Sequence, residues 1–304
     1  MQRNLILSLK IGSRGSKLAL VQAKWVQLEL SKCGLQSEIK IIQTKGDLIL
    51  DKALHKIGDK GLFTAELEKA LLDQEIDLAV HCLKDLPTAI NKDLPIAAIT
   101  QREEPWDCII FSSKHQKLNS LLDLPPKAKI GTSSLRRIAQ LKALRADFVF
   151  IDLRGNIDTR IKKIKESFND LDAGVLALAG LKRLSLENQI ACILNPDICL
   201  PAAGQGALAI QIAQNNSNLL LKQAIQTLHH IPTAILTGAE RAALKAIEGG
   251  CQTPFAAYAQ FEDENLIKVK AVFGENNYKA ELIGLATDYE QIGFTLGLKL
   301  KEMI

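Results

Sequence analysis

Short apolar runs that alternate with helix-patterned segments limit what this 304-residue chain can fold into more than any other feature. Runs of strand length occur at 5–11, 38–43, 76–80 and 96–99, and a second series follows at 108–111, 128–131, 148–152 and 174–178. Apolar residues recur at helical spacing over 16–33, 62–73, 133–145 and 156–167. Such alternation predicts two α/β domains with mainly parallel sheets.

The end of the chain has a different pattern. A helical segment at 234–248 is followed by Gly249 and Gly250, and then by strand-like runs at 254–261 and 266–273. This order predicts a small α+β third domain. The sequence shows no repeat of 20–50 residues and no low-complexity linker.

Arginine is unevenly distributed, whereas lysine is spread throughout. Six of the ten arginines fall between positions 136 and 183: Arg136, Arg137, Arg145, Arg154, Arg160 and Arg183. A guanidinium group binds planar anions through two hydrogen bonds at once, so this concentration indicates recognition of carboxylates or phosphates. A solvated helix face is the alternative explanation.

Cysteine spacing and overall composition exclude several classes of protein. The six cysteines form no CxxC pair and no zinc spacing, which predicts free thiols, no metal and a cytoplasmic location. The N-terminal residues resemble a first strand rather than a signal peptide, and no apolar run reaches the roughly 18 residues of a membrane span. A net charge of +4 with 5% aromatic residues argues against a nucleic-acid binder.

The unusual residues follow the predicted strands. SRGS, HCLKD, GTSSLRR, LRGN and AGLKR each come at or just after the end of a strand. Ligands of open α/β sheets bind outside the carboxyl ends of the strands, where helix N-termini offer unpaired N–H groups to anions. We therefore expect an anion-binding cleft between the two α/β domains.

GTSSLRR (131–137) combines a turn glycine, three hydroxyl groups at a helix start and two adjacent arginines, which suits carboxylates. Ordinary capping by Ser133 or Ser134 beside surface arginines is the simpler alternative. Phosphate binding also remains open, although neither GxxxxGK[ST] nor GxGxxG accompanies the motif.

Two further motifs offer reactive side chains. In HCLKDLP (81–87), Asp85 could act as an acid or base if Lys84 and nearby arginines tune it, or it could be a turn residue. In EGGCQTP, two glycines allow an exposed turn that would leave the Cys251 thiol accessible for covalent chemistry. A simply buried thiol is the alternative for Cys251.

Taken together and in this order, the motifs resemble the porphobilinogen deaminase (hydroxymethylbilane synthase) family over nearly the whole chain. The stretches that carry the resemblance are IGSRGSKLALVQA (11–23), TKGD (44–47), KIGDKGLFTAELE (56–68), HCLKDLP, GTSSLRR, LRGNIDTR (153–160), AGLKRL (179–184), PAAGQGALAI (201–210) and EGGCQTPFAAYA (248–259).

The resemblance implies an α/β fold of three domains, two of them doubly wound and similar to periplasmic binding proteins. Domain 1 would comprise 1–103 with 206–226, domain 2 would comprise 106–201, and the small α+β domain 3 would comprise 229–304. Hinges would lie near 103–106 and 201–206.

The resemblance also implies a transferase. Cys251 would hold a dipyrromethane cofactor through a thioether bond. Porphobilinogen would lose ammonia, and its methylene carbon would be attacked by the terminal pyrrole. Asp85 would assist proton transfer and stabilise cationic pyrroles. After four additions, hydrolysis would release hydroxymethylbilane for porphyrin and haem biosynthesis.

Further site residues are implied by position in the motifs. Those expected to hold the cofactor are Lys84, Thr132, Ser133, Ser134, Arg136 and Arg137. Those expected to bind substrate are Arg14, Ser16, Lys60, Phe63, Arg154, Arg160 and Arg183. Asp47, Lys56, Lys60 and Phe63 would belong to a loop that covers the site.

Some features depart from the family or remain alternatives. Cys82 stands where the family usually has serine, and the chain ends earlier than many relatives do. The family resemblance implies a monomer without nucleic-acid or membrane partners, whose product passes to uroporphyrinogen-III synthase. A non-catalytic solute-binding protein with two domains around an anion site is the main alternative; it would need a signal peptide but not Cys251.

Overall fold

The computed structural model describes residues 8–48, 61–249 and 253–303. These residues divide into two compact units. Unit 1 contains 8–48, 61–101 and 207–234, and unit 2 contains 102–206 and the described part of 235–303. The division into three domains stays a prediction, because the segments assigned to domains 2 and 3 fall largely within unit 2.

Thirteen strands and nine α-helices cover the described residues. The strands are β1 (Leu9–Ser13), β2 (Ser37–Ile41), β3 (Leu78–Cys82), β4 (Ile96–Ile99), β5 (Asp107–Phe111), β6 (Lys129–Gly131), β7 (Val149–Ile151), β8 (Ala173–Ala177), β9 (Cys192–Ile193), β10 (Leu208–Gln211), β11 (Phe255–Phe261), β12 (Leu266–Phe273) and β13 (Tyr278–Leu285). The helices are α1 (Lys17–Lys32), α2 (Lys45–Leu48), α3 (Ala65–Leu72), α4 (Leu135–Leu144), α5 (Ile157–Lys165), α6 (Leu178–Arg183), α7 (Leu219–Thr227), α8 (Ile231–Ala246) and α9 (Tyr289–Lys301).

Unit 1 is built on a five-stranded sheet, here called the first sheet, with the order β2-β1-β3-β10-β4. Successive side chains of a strand point to opposite faces, and the buried strands are apolar on both. Leu78 and Val80 pack with α1 and α7 on one face, whereas Ala79 packs with α3 on the other. Helices on both faces make this sheet doubly wound.

Unit 2 contains the second sheet, with the order β7-β6-β8-β5-β9. Its strand β5 (DCIIF) is buried along its whole length. Ile109 and Phe111 face the core beneath α4, while Cys108 and Ile110 face the core that α5 and α6 complete. This sheet is doubly wound as well.

The two sheets are mainly parallel, as predicted, but each five-stranded sheet contains one strand that runs opposite to the other four. In the first sheet, β1 runs parallel to β2 and β3, but β10 runs antiparallel to β3 and β4. In the second sheet, β5 is antiparallel to β8 and β9. Each antiparallel strand is the first one after the chain changes units. It therefore does not enter through a βαβ crossover, which would impose the parallel direction.

The third sheet is antiparallel, in the order β11-β12-β13, and lies in unit 2. Its core contains Ala239 and Ala243 of α8 together with Leu296 and Leu300 of α9. A side chain at Gly293 would collide with the backbone of Ala239, so glycine allows the two helices to approach closely. This sheet with its helices confirms the predicted small α+β part and, with the doubly wound sheets, the predicted fold class.

The chain passes from one unit to the other next to two segments, 102–106 and 201–206, here called the crossing segments. They lie side by side within unit 2. Glu103 N donates to Gly206 O at 3.2 Å, and Arg102 Nε donates to Gln205 O at 2.8 Å. Gly206 has φ +96°, and a β-carbon there would meet the Glu103 backbone, so this position requires glycine. Arg102 also forms a bidentate pair with fully buried Glu240, at 2.6 and 3.0 Å.

Some elements were missed by the sequence analysis. The predicted strands at 96–99 and 266–273 match β4 and β12 residue for residue, whereas β10, β13 and α7 had not been predicted. In β13 half-buried and exposed positions alternate, and the exposed ones include charged Lys279 and Glu281 beside apolar Ile283, which obscures the strand pattern. No helix among the described residues is long and apolar enough to cross a membrane.

Candidate active site

Arg14, Lys84 and Asp85 lie at the same edge of the first sheet. Arg14 directly follows β1, while Lys84 and Asp85 belong to the 3₁₀ turn Leu83–Asp85 that follows β3. Because β1 and β3 are parallel, their carboxyl ends meet at one edge. Both members of the Lys84 and Asp85 pair are half-buried. The structure therefore brings a carboxylate and two cations to the edge where a doubly wound sheet binds ligands.

Arg14 has an acidic partner within unit 1. Its guanidinium pairs with Asp47, and its terminal carbon lies 4.2 Å from the centre of the Phe63 ring. Burial alone would raise the pKa of the Asp47 carboxyl, but hydrogen bonds from Arg14 and Thr44 hold that pKa below its ordinary value. Asp47 therefore stays ionised. About one fifth of each side chain remains exposed, so another carboxylate can reach this pair.

Ser16 and Cys82 make local contacts nearby. The Ser16 hydroxyl caps α1 by accepting a hydrogen bond from Ala19 N at 3.3 Å. The Cys82 sulfur lies 3.3 Å from the Gln22 side-chain nitrogen, so this thiol has a polar neighbour. Ser16 thus serves the backbone in this structure, and its predicted role toward substrate stays a prediction.

His81 is a buried neutral histidine next to this edge. Burial lowers the pKa of His81 to about 4, and the positive charge of Arg14 acts in the same direction. Its Nε2 atom has no hydrogen-bond partner among the described residues. At neutral pH His81 therefore adds no positive charge behind Arg14.

The hydroxyl groups of GTSSLRR lie at the carboxyl end of β6. Thr132 Oγ1 accepts a hydrogen bond from Ser134 N at 3.2 Å, and Ser133 Oγ accepts one from Leu153 N at 3.1 Å. Ser134 is the N-cap residue of α4, yet its side chain makes no capping bond. The alternative of ordinary side-chain capping is therefore wrong for this helix, and its first N–H groups remain available to an anion.

Arg136 and Arg137 are buried together against one carboxylate. Asp107, which is fully buried, lies 2.8 Å from Arg136 Nη1 and 2.7 Å from Arg137 Nη2. The same guanidiniums also donate to the carbonyl oxygens of Leu200 and Val175 at 2.7 and 2.8 Å. These arginines are therefore not the surface residues of the simpler alternative.

The charges in this cluster do not balance. Burial would raise the pKa of Asp107, but both guanidiniums lower it far below its usual range, so Asp107 is an anion. Burial raises the pKa of the neighbouring Cys199 thiol to about 12, so that thiol is neutral. Two cations thus share one anion, and Arg137 Nε has no acceptor among the described residues. Because burying an unpaired charge is costly, a carboxylate ligand suits this cluster.

Arg154 and Arg160 belong to the segment that follows β7. Arg160 Nε donates to Gly155 O at 2.7 Å, and Gly155 has the positive φ of +110° that a turn into α5 requires here. Both arginines are half-buried. Since β7 is parallel to β6, Arg154 lies at the same edge of the second sheet as Thr132.

Arg183 and Arg145 show two other uses of arginine. Arg183 ends α6, and its Nη2 donates to Gly206 O at 2.5 Å, in the second crossing segment. Arg145 binds Asp147 and the carbonyl oxygens of Leu124 and Pro125, at distances of 2.7–3.0 Å. Arg145 therefore connects loops, and this member of the arginine-rich stretch has a structural role.

Asp107 and Gln205 were missed as candidate site residues by the sequence analysis. Gln205 Nε2 donates to Asp107 Oδ1 at 3.0 Å and to Pro105 O at 2.5 Å. A usable signal was present at Asp107: a carboxylate that opens a continuous apolar strand must be paired when it is buried. Gln205, in a loop, carried no comparable signal.

Two predicted site residues, Lys60 and Cys251, lie outside the described residues, as does Lys56 of the expected covering loop. The five described cysteines are free thiols. Within 8–48, 61–249 and 253–303 no group of histidine, cysteine and acidic side chains could hold a metal ion.

The chain is similar to proteins of one family along nearly its whole length. A family model described as porphobilinogen deaminase, dipyromethane cofactor binding domain, matches residues 9–221, and one described as porphobilinogen deaminase, C-terminal domain, matches 234–304. The porphobilinogen deaminase of Carboxydothermus hydrogenoformans is 46% identical over 296 residues, which cover 95% of this chain and 92% of that protein. That of Syntrophomonas wolfei is 49% identical over 261 residues, which cover 85% and 83%.

Among solved structures, a periplasmic substrate-binding protein of an ABC transporter from Coxiella burnetii is similar at 13% identity and a TM-score of 0.44. The match covers 77% of this chain and 96% of that one. A likeness this weak says nothing about activity, so it adds no support to the solute-binding alternative. The two family models and the extent of identity to the curated relatives show that the chain belongs to the porphobilinogen deaminase family.

Proposed function

We propose that the chain is a hydroxymethylbilane synthase, a transferase that joins four porphobilinogen molecules head to tail with loss of ammonia and then releases hydroxymethylbilane. The observation that carries the proposal is the buried arginine pair with one surplus positive charge, in a chain whose family model is a dipyrromethane-binding domain. Such a pair suits a ligand with acid side chains, and porphobilinogen carries an acetate and a propionate.

The dipyrromethane, when bound through Cys251, supplies the pyrrole carbon to which the first substrate unit is joined. Arg136 and Arg137 hold its acid groups, because their buried charge is only half compensated by Asp107. Neutral donors come from Thr132, Ser133, Ser134 and the N-terminus of α4, and Lys84 contributes a third cation. Charge-assisted hydrogen bonds contribute about 1.5–3 kcal/mol each when they are well placed.

Asp85 is the proton-handling group. Its carboxylate lies half-buried in the turn after β3, one residue beyond Lys84. There it accepts hydrogen bonds from pyrrole N–H groups, stabilises the positive charge that develops on them and takes up or returns a proton. General acid–base catalysis of this kind contributes about 10²–10⁴-fold to the rate.

The remaining residues bind the acid groups of incoming substrate and of the growing chain. These are Arg14, Ser16, Lys60, Phe63, Arg154, Arg160 and Arg183. Arg14 exchanges its internal carboxylate, Asp47, for one of the ligand, which the partial exposure of the pair allows. The enzyme acts as a cytoplasmic monomer, away from membranes and nucleic acids, and its linear product passes to uroporphyrinogen-III synthase.

Intact mass tests the proposal. We expect the purified protein to exceed its polypeptide mass by two porphobilinogen units less two ammonias, and to give a colour with an aldehyde reagent for pyrroles. Cys251→Ser should lose both the added mass and the colour. Cys33→Ser, which changes an exposed thiol elsewhere, is the matched control and should keep both.

A bare polypeptide mass would call for incubation with porphobilinogen or with preformed hydroxymethylbilane before a second measurement. If the mass still does not rise, the enzyme assignment fails, and a non-catalytic anion-binding protein becomes the better explanation. Loading that persists in Cys251→Ser would reject Cys251 as the attachment point.

A further inference from the structure

Asp107 connects the two buried arginines with a crossing segment. It is the first residue of β5, and its carboxylate accepts hydrogen bonds from Arg137 Nη2 at 2.7 Å and from Gln205 Nε2 at 3.0 Å, with Arg136 Nη1 at 2.8 Å. Among the described residues it is the only carboxylate that pairs with either arginine. The arginine side chains are 6% and 8% exposed, so water does little to screen these charges.

The two oxygens of Asp107 divide the arginines between them. Oδ2 faces Nη1 of Arg136 and Oδ1 faces Nη2 of Arg137. Each guanidinium also donates from its Nη1 atom to a backbone carbonyl oxygen, that of Leu200 for Arg136 and that of Val175 for Arg137. Each guanidinium is therefore held from two directions. A rigid pair of donors binds a carboxylate with less loss of conformational entropy than two flexible ones do.

We propose that Asp107 is a positioning residue of the cofactor site: it neutralises one arginine charge and holds both guanidiniums in place, which leaves one positive charge for an acid side chain of the dipyrromethane. This inference rests on the proposed function. It predicts that Asp107 and the cofactor together compensate the two charges of one arginine pair, so the loss of either anion destabilises the protein more when the other is also missing.

Asp107→Asn in two backgrounds tests the shared charge. One background is the cofactor-loaded protein, and the other is Cys251→Ser, which carries no cofactor if the proposed function holds. Asparagine keeps the shape of the side chain but removes its charge. We expect the fall in melting temperature to be larger by about 5 °C in the unloaded background, because no acid group then compensates either arginine.

Asp172→Asn is the matched control. Asp172 also accepts two hydrogen bonds within the second sheet region, from Lys129 N and the His115 ring, but it contacts neither arginine. Its loss should lower the melting temperature equally in both backgrounds. An equal fall for Asp107→Asn as well would make Asp107 a structural residue only and would overturn the proposal.

Asp107→Glu tests the positioning without removing charge, and it also serves if Asp107→Asn fails to fold. The extra methylene group displaces the guanidiniums, so we expect the variant apoprotein to load cofactor about tenfold more slowly than the wild type. The rate is measured as the rise in intact mass with time. Loading at the wild-type rate would overturn the proposal. Failure of the wild type itself to gain mass would instead reject the proposed function, and this inference would fall with it.

Discussion

The first and second sheets have the same strand order but hold their charged residues differently. In each sheet three neighbouring strands run parallel and the next strand is antiparallel, β10 in one sheet and β5 in the other. That strand is the first one after the chain has passed from one unit to the other. At the carboxyl edge of the first sheet, Arg14 pairs with Asp47 and both remain about one-fifth exposed. Near the same edge of the second, Arg136 and Arg137 share a fully buried Asp107.

The difference in burial separates exchangeable charges from permanent ones. A pair that water can reach contributes about 0–1 kcal/mol, so Arg14 can change partners at little cost. Removal of one partner from a buried pair costs about 3–5 kcal/mol, so the Asp107 cluster stays assembled. The two sheets share a strand order, but the first holds an ion pair that can exchange partners and the second holds a buried ion cluster that stays assembled.

Asp85→Ala should have the largest effect, at the reactive edge of the first sheet. We expect kcat to fall at least about 100-fold, because the proton-handling group is lost, with little change in melting temperature. Asp77→Ala removes a carboxylate at the opposite end of β3, where it accepts a hydrogen bond from Lys10 N, and should leave kcat near normal. Near-normal turnover of Asp85→Ala would refute the catalytic role.

His81 makes the stability of unit 1 depend on pH. Its pKa is lowered from 6.5 to about 4 on folding, so the unfolded chain binds the proton first as the pH falls. Titration of His81 therefore leaves the free energy of unfolding unchanged above pH 6.5 and lowers it by about 3 kcal/mol as the pH falls toward 4. His81→Gln should remove that part of the loss, measured by urea unfolding at pH 7 and pH 4.5. An equal fall in the free energy of unfolding in both proteins would contradict this role of His81. Asp107 stays ionised throughout this pH range and does not contribute to the difference.

Arg154→Leu should weaken acid-group binding at the edge of the second sheet. The loss of one charge-assisted contact of about 2 kcal/mol lowers kcat/KM roughly 30-fold and slows the early additions, which a count of enzyme-bound pyrroles by mass would show. Arg145→Leu, in contrast, breaks bonds between loops and should lower stability but not kcat/KM. If kcat/KM were the same for both variants, Arg154 would have no specific role in binding the acid groups.

Asp47→Asn tests whether the first-sheet pair is exchangeable. Without the charge of Asp47, the Arg14 guanidinium no longer has to give up an anion when substrate binds, so KM for porphobilinogen should fall about two- to fivefold. Steady-state kinetics at constant ionic strength would measure this change. A rise in KM would mean that Asp47 holds Arg14 in place, as Asp107 does for its arginines.

Cys82→Ser should have the smallest effect. Serine can keep the polar contact with Gln22 that the thiol makes at 3.3 Å. We expect kcat and KM to change less than about twofold in the standard assay. A larger change would show that the thiol alters the site at this edge of the first sheet.

Much of the site could be predicted from the sequence because it depends on local order. Arg14, Asp85, Thr132 and Arg154 follow strands that the apolar pattern marks, and parallel strands necessarily bring their carboxyl ends to one edge. The predicted placement of these four residues after strands is confirmed. Their roles toward substrate and cofactor stay predictions, and Cys251 and Lys60 lie outside the described residues.

What the sequence by itself determined was the alternation of strands and helices, the small third sheet and the position of each motif along the chain, because these follow from patterns a few residues long. Only the tertiary structure decided that Asp107 joins Arg136 and Arg137, about 30 residues away, that β10 enters between β3 and β4, and that Asp47 pairs with Arg14. These contacts arise when distant segments pack together, and charge and burial become specific only then, because a side chain's partners and its exposure to water are properties of the packed chain.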